Sequence, residues 1–277
     1  MNRLYFGYGS NLDAADFEHF CARRGFRGAR LVPRGTALLL DRQLVFDRHA
    51  ASRRGGVLNL RDRPGAAVEG VLFEADPRAR EALDAKEGVP FAYRPVDCHA
   101  VLPDGGAVPA FTCIAPGQGH HAPDEGYLAV VRRGLVAHGL GHAALLAAAR
   151  GDDPPPAVGH LFVYGTLLAG EANAGLLEDL PREAAMARGM LHDCGAWPAM
   201  VLGEGQVRGE VLTWPRQRVA ALDALEEALP HGAPGGAYRR TVLTVRTSRG
   251  GLRAYAYVVD DPAGLPVIPG GDWRRRG

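Results

Sequence analysis

Two glutamates recur at the same place in a repeated sequence pattern. Leu-Asp-Ala-x-Glu occurs over residues 83–87 and again over 222–226. Helical spacing puts Glu87 and Glu226 on the apolar faces of short predicted helices. Burial and the negative end of a helix dipole both disfavour a carboxylate, so each pKa should rise toward the range of a general base. Judged alone, either residue is better explained as a helix-ending glutamate paired with an arginine, but the repetition favours proton transfer.

A tyrosine-glycine turn is the second repeated feature. Tyr8-Gly9-Ser10-Asn11-Leu12 and Tyr164-Gly165-Thr166-Leu167 each follow a short apolar run. Glycine lets the backbone turn sharply and present N–H groups to a carboxylate or carbonyl oxygen. A helix beginning after Gly9-Ser10-Asn11 would add a positive dipole end. The turns are therefore candidate substrate-binding segments, and a strand-to-helix turn without a ligand stays open as the alternative.

Several other chemistries lack their motifs. Gly7-Tyr8-Gly9 has no third glycine of a dinucleotide fingerprint, and Walker A, HExxH and GxSxG strings do not occur. His120-His121 is predicted to lie in a surface loop without metal. The cysteines are far apart and without zinc-ligand spacing, which predicts structural thiols: Cys21, Cys98, Cys113 and Cys194. We expect neither a metal nor a cofactor.

The elements that position these residues also repeat. Between the turn and the glutamate, Val-Glu-Gly-Val-Leu over 68–72 matches Val-Arg-Gly-Glu-Val-Leu over 207–212, and Tyr93-Arg94 and Tyr238-Arg239 follow later. The shared order predicts two copies of one α+β fold. The proline-rich segment 151–156 predicts a linker between domains at 1–150 and 157–277.

Helix signals supply the remaining elements. Asp13 to Arg24 predicts a helix that ends at Gly25, with Phe17 on its apolar side. Asp76 and Pro77 predict the start of the helix that carries Glu87, and Pro215 plays the same part before Glu226. A further helix is predicted within residues 127–150.

Composition bounds the class of protein. Hydrophobic residues make up 47% and charged residues 23% of the 277 residues, which excludes disordered and collagen-like chains. A net charge of +1 gives no field that would attract nucleic acid or an anionic membrane. No apolar run approaches the length of a membrane span. A cytoplasmic protein with a small-molecule partner is expected, and its oligomeric state stays open.

Together these motifs resemble the γ-glutamylcyclotransferase family. The first half is similar to the γ-glutamylcyclotransferase branch through Tyr8-Gly9-Ser10-Asn11-Leu12, the segment 83–88, and Ala122-Pro123-Asp124-Glu125-Gly126-Tyr127. The second half is similar to the γ-glutamylaminecyclotransferase branch through Tyr164-Gly165-Thr166-Leu167, Trp197-Pro198-Ala199 and Tyr238-Arg239-Arg240. The resemblance implies two small mixed β-barrels flanked by helices. It also implies Glu87 and Glu226 as catalytic residues and Tyr127 as a substrate-binding residue.

The implied reaction releases 5-oxoproline from a γ-glutamyl amide, without metal or cofactor. The α-amine of the γ-glutamyl group attacks its own side-chain carbonyl and frees an amine or amino acid. Because the substrate holds both reacting groups, the enzyme supplies proton transfer and charge stabilisation. Glu226 is chosen over Glu227 because Glu227 is rotated about 100° around the helix. A binding module without turnover in one or both halves is the alternative, and glutathione-specific degradation is a third reading.

Overall fold

The first half of the chain forms a closed, mixed β-barrel. In the computed structural model, which describes residues 3–262 and 264–276, the strands of this barrel are β1 (Leu4–Gly7), β2 (Leu31–Ala50), β3 (Gly55–Ala75), β4 (Arg94–Val101) and β5 (Ala107–Ile114). Their order around the barrel is β1-β3-β2-β4-β5. Strand β1 runs antiparallel to β3 and parallel to β5. Apolar side chains such as Phe6, Phe46 and Phe111 fill the interior, so the barrel encloses a packed core.

Among the residues described in this half, the flanking helices are α1 (Ala14–Arg24), α2 (Pro77–Glu87), α3 (Glu125–Ala137) and α4 (Ala143–Arg150). The Asp13 side chain caps α1 by accepting from the backbone N–H groups of Ala15 and Asp16, and Gly25 ends the helix in the left-handed region. In the same way Asp76 caps α2 and Gly88 ends it. The stop of α1 at Gly25 and the start of α2 at Asp76 are therefore as predicted.

The second half repeats the barrel with the same connectivity. Its elements are β6 (His160–Val163), β7 (Arg182–Asp193), β8 (Pro198–Thr213), α5 (Val219–Leu225), β9 (Arg239–Thr247) and β10 (Gly250–Val258). The closed order is β10-β6-β8-β7-β9. Strand β6 is antiparallel to β8 and parallel to β10, as β1 is to β3 and β5. The predicted α+β fold of two small mixed barrels is confirmed.

Contacts between Cα atoms divide the chain into two compact units. One comprises Met1–Ala100 with Val108–Ala157, and the other comprises Val101–Ala107 with Val158–Gly277. The break after Ala157 follows directly on segment 151–156, for which a linker is predicted. Residues 1, 2 and 277 at the ends of the predicted domains, and 263 within the second, lie outside the described part of the chain. No helix in that part is long and apolar enough to cross a membrane.

Three expectations about helices need correction. The predicted helix within 127–150 is two helices, because α3 ends before His138 and Gly139 adopts a φ of 68°. The segment after Gly9 forms only a three-residue 3-10 turn, Ser10–Leu12, before α1 begins. Pro215 precedes a 3-10 turn, Arg216–Arg218, rather than the first turn of α5 itself. The turn after Tyr8 therefore gains no α-helix dipole of its own.

Candidate active site

The tyrosine-glycine turn of the first barrel lies at the carboxyl end of β1. The N–H of Leu12 donates to the carbonyl of Gly9 at 3.0 Å, which closes the turn. Helix α3 packs directly against it, since a Cβ atom on Gly134 would lie 2.5 Å from the Cβ of Leu12. Leu12 is 1% exposed, so its side chain holds the turn against the buried core. The turn is thus fixed by β1 on one side and by α3 on the other.

The tyrosines of both turns are held by equivalent hydrogen bonds. The hydroxyl of Tyr8 donates to the carbonyl of Cys113 on β5 at 2.6 Å. The hydroxyl of Tyr164 donates to the carbonyl of Tyr257 on β10, also at 2.6 Å. Both rings are nearly buried. Each hydroxyl therefore ties the end of the first strand of its barrel to the last strand.

Replacement of Tyr8 by phenylalanine tests this structural role. Tyr8→Phe removes one buried hydrogen bond and should lower the free energy of unfolding by about 1 kcal/mol. Urea denaturation of Tyr8→Phe and of the matched variant Tyr164→Phe measures the effect, which should be similar in both. Turnover that collapses while stability stays unchanged would instead assign the hydroxyl to substrate.

Glu87 is the last residue of α2, and its side chain is half-buried at the wall of a cavity. The helix is anchored by the fully buried Leu83, one turn earlier. Oε1 of Glu87 accepts a hydrogen bond from Nδ2 of Asn11 at 2.6 Å. Burial raises the pKa of the carboxyl group, opposed by the positive charge of Lys86 and by the Asn11 hydrogen bond. The pKa of Glu87 is therefore raised, as predicted in direction, with a cation beside it that opposes the rise.

The first cavity has a volume of about 830 Å³. Of the residues predicted for this site, it is lined by Tyr8, Gly9, Ser10, Asn11, Glu87 and Tyr127. Leu12 is the exception, because it points into the core beneath the turn and does not line the cavity. The Tyr127 hydroxyl accepts a hydrogen bond from the N–H of Leu58 at 3.2 Å. Residues from β1, α2 and α3 thus converge on one space.

Glu226 follows the last residue of α5 and faces a smaller cavity of about 430 Å³. Burial, with a smaller contribution from Asp223, raises the pKa of Glu226 to about 7. Its neighbour Glu227 has a φ of 47° and also lines this cavity. Because α5 ends at Leu225, the helical rotation does not decide between the two glutamates, and the choice of Glu226 stays a prediction. The same cavity is lined by Tyr164, Gly165, Thr166 and Leu167. Gly165 is required by packing, since a Cβ atom there would lie 2.5 Å from Pro198.

Sequence reasoning missed four tyrosines that line the cavities, Tyr5 and Tyr93 in the first and Tyr238 and Tyr257 in the second. Tyr93 donates its hydroxyl hydrogen bond to the carbonyl of Leu58 at 2.7 Å. Tyr238 donates to the carbonyl of Pro198 at 2.7 Å in the second cavity. For Tyr93 and Tyr238, the repeated Tyr-Arg pair at the start of the fourth strand is the signal that could have found them. Through these hydrogen bonds Tyr93 holds the start of β3, and Tyr238 holds the start of β8.

The two cavities differ in their charged residues. The first is lined by Glu87 at the end of α2 and by five further charged residues: Lys86, Asp16, Arg53, Arg23 and Arg24. The second is lined mainly by apolar side chains, among them Trp197, Pro198 and Leu225, beside Glu226 and Glu227. All four cysteines are free. Within residues 3–262 and 264–276, no group of three His, Cys, Asp or Glu side chains is placed to hold a metal ion.

Comparison with known proteins identifies the family. The model for "Gamma-glutamyl cyclotransferase, AIG2-like" matches residues 5–129 and again 161–275. A candidate gamma-glutamylcyclotransferase of Vibrio cholerae is 34% identical over 120 residues, which cover 42% of this chain and 96% of that protein. A gamma-glutamylcyclotransferase family protein of Escherichia coli K12, YtfP, is 33% identical over 118 residues, with the same coverage. A solved structure described as a gamma-glutamyl cyclotransferase is 20% identical, with a TM-score of 0.46, and covers 55% of this chain and 89% of that one. Because the family model matches both barrels and most of the chain, this protein belongs to the gamma-glutamyl cyclotransferase, AIG2-like family, with one copy in each half.

Proposed function

We propose that the protein is a tandem cyclotransferase that cleaves γ-glutamyl amides and releases 5-oxoproline. One observation carries the proposal: in each barrel a glutamate at a helix end shares a cavity with a tyrosine-glycine turn. In the reaction, the α-amine nitrogen bonds to the γ-carbonyl carbon, and the bond from that carbon to the amide nitrogen breaks. The products are the five-membered lactam and a free amine or amino acid.

The glutamate would carry the proton between the two nitrogens. The α-ammonium group must lose a proton before it attacks, and the leaving nitrogen must gain one before it departs. A carboxylate whose pKa is raised by burial can accept the first proton and donate it in the second step. In Glu87, Oε1 already accepts from Asn11, so Oε2 is the oxygen left for the substrate.

The turn would stabilise negative charge on the substrate. Residues Gly9, Ser10 and Asn11 line the first cavity, and in the described part of the chain their N–H groups have no protein acceptor. The same holds for Gly165 and Thr166 in the second cavity. Backbone N–H groups held in place without a partner are suited to a carboxylate or to the oxyanion that forms at the attacked carbonyl.

A substrate panel tests the proposal. The full-length protein is incubated with γ-glutamyl amino acids, γ-glutamyl amines and glutathione, and 5-oxoproline is measured. We expect turnover of at least one γ-glutamyl amide. Calorimetric binding without 5-oxoproline across the whole panel would overturn the enzyme proposal and support a binding module.

The second site should show an acid limb close to neutral pH. With the first site silenced by Glu87→Gln, kcat/KM should fall as the pH drops below about 7, because the pKa of Glu226 is about 7 and only its carboxylate accepts a proton. Above that pH the carboxylate is present and the limb levels off. Initial rates of 5-oxoproline release across a pH series measure it. A limb near the ordinary glutamate value of about 4.3 would rule out a buried Glu226 as the base.

A further inference from the structure

The only lysine in the sequence lies buried beside Glu87. The chain uses arginine for every other basic position except histidine, yet Lys86 occupies the last turn of α2, and its side chain is 7% exposed. Its Nζ lies 2.7 Å from Oδ2 of Asp16 and donates to Oδ1 of Asn11 at 2.8 Å. A compact ammonium group with three donors suits this enclosed position better than a planar guanidinium group.

The contact with Lys86 determines how the Asn11 amide is oriented. An ammonium group has no acceptor capacity, so the atom of Asn11 that faces it must be the oxygen Oδ1. The nitrogen Nδ2 then points the other way and donates to Oε1 of Glu87 at 2.6 Å and to the hydroxyl of Tyr5 at 3.0 Å. The contact with Lys86 thus orients the amide group that donates a hydrogen bond to Glu87.

The second barrel lacks both members of this pair. In the repeat alignment Leu225 stands at the position of Lys86, and Leu167 stands at the position of Asn11. Within the described residues, the carboxylate of Glu226 accepts no side-chain hydrogen bond. The lysine and the asparagine therefore occur together in one copy and are replaced together in the other.

We propose that Lys86 is a positioning residue of the first site, which acts by fixing the Asn11 amide so that Nδ2 holds Oε1 of Glu87. Oε2 is then left facing the cavity for proton transfer. The inference rests on the proposed function in that it takes Glu87 as the base. It goes beyond that function because the base of the first site is held by hydrogen-bonded neighbours that the base of the second site lacks.

Other charges near Glu87 bear on any test by pH. The cations are Lys86 of α2 and Arg53 of the turn before β3, and the anion is Asp84 of α2. Asp16 of α1 faces Lys86 and is bound by both terminal nitrogens of Arg53, at 3.0 and 2.7 Å. The remaining titratable neighbours are raised in pKa by burial and stay neutral near pH 7: Tyr5, Tyr8, Tyr93, Cys113 and Tyr127.

The test replaces Lys86 by methionine in the full chain that also carries Glu226→Gln, so that only the first site is read. Asp16 keeps Arg53 as its partner in this variant, so no buried charge is left alone. Two quantities are measured: the acid limb of kcat/KM for 5-oxoproline release from a γ-glutamyl amino acid, and the ¹³C NMR titration midpoint of Glu87, assigned with Glu87→Gln. Both should move up by about one pH unit on Lys86→Met.

Two further variants separate positioning from a simple charge effect. In an Asn11→Leu background, Lys86→Met should shift the Glu87 midpoint less than in the parent, because the two residues act along one hydrogen-bonded path. Arg78→Met removes an exposed cation nine residues earlier on α2, about 14 Å away along the axis, and should leave the midpoint unchanged.

The possible outcomes are distinct. An unchanged Glu87 midpoint in Lys86→Met, or an equal shift with and without Asn11, would overturn the positioning role. The expected NMR shifts in a parent that releases no 5-oxoproline would uphold the positioning of Glu87 while contradicting the proposed function. Shifts in both the NMR midpoint and the acid limb support both.

Discussion

The double variant Glu87→Gln/Glu226→Gln should lose 5-oxoproline formation by about 10²- to 10⁴-fold, the range for loss of a positioned general base. Glutamine keeps the size and one carbonyl oxygen of glutamate but cannot accept the ammonium proton. The geometry of the first site should survive, because the glutamine oxygen can still accept the 2.6 Å hydrogen bond from Asn11. Each single variant should remove only the turnover of its own barrel. Rates with saturating and limiting γ-glutamyl substrate measure the effect.

Folding provides the control for these variants. Since the pKa of Glu226 is raised in the folded state, its ionisation destabilises the fold as pH rises through about 7. Glu226→Gln should therefore be at least as stable as the parent at pH 8, by thermal or urea denaturation. Full turnover retained by a folded double variant would show that other groups carry the proton. Glu204→Gln, at an exposed position of the second barrel outside its cavity, should leave turnover within about twofold of the parent.

The position of each candidate base could be predicted from the sequence because its signals are local. Helical spacing from Leu83 and from Leu222 gives the face on which the glutamate lies, and Asp76 with Pro77 marks the start of α2. The tyrosine-glycine turns were found in the same way, since a glycine after a short apolar strand is visible without any long-range contact. Repetition then linked the two signals in a fixed order.

The contacts that tune the first site could not be predicted, because barrel closure decides them. Lys86 and Asp16 are 70 residues apart and lie on different helices, and their 2.7 Å contact forms only when the chain folds around the barrel. Tyr93 reaches across the cavity only because of the register in which β3 pairs with its neighbours. The break between α3 and α4 depends on a left-handed glycine, Gly139, inside a sequence with helical spacing on both sides.

A repeated glycine on the third strand should prove essential for stability. Gly70 on β3 crosses the end of β1, where an added Cβ atom would lie 2.5 Å from the carbonyl oxygen of Gly7 and closer still to the ring of Phe6. Neither neighbour can retreat easily, because one is backbone in a paired strand and the other is fully buried. Gly70→Ala should therefore lower the free energy of unfolding by about 3 kcal/mol, at the upper end of overpacking effects. Urea denaturation gives this value directly.

Gly209, the equivalent glycine of the second barrel, is packed in the same way. A Cβ atom added at Gly209 would lie 2.2 Å from the carbonyl oxygen of Val163 and 2.6 Å from the ring of Phe162, so Gly209→Ala should lower the free energy of unfolding by a similar amount. Gly141→Ala is the matched control, because no heavy atom lies within 4 Å of a Cβ atom there, and its effect should stay within about 0.5 kcal/mol. Because Gly7 directly precedes Tyr8, any backbone shift that accommodates alanine at position 70 must also displace the turn that lines the first cavity. Gly70→Ala should thus weaken turnover in the first barrel alone, and a variant with parental stability would mean that the strand crossing is looser than its packing indicates.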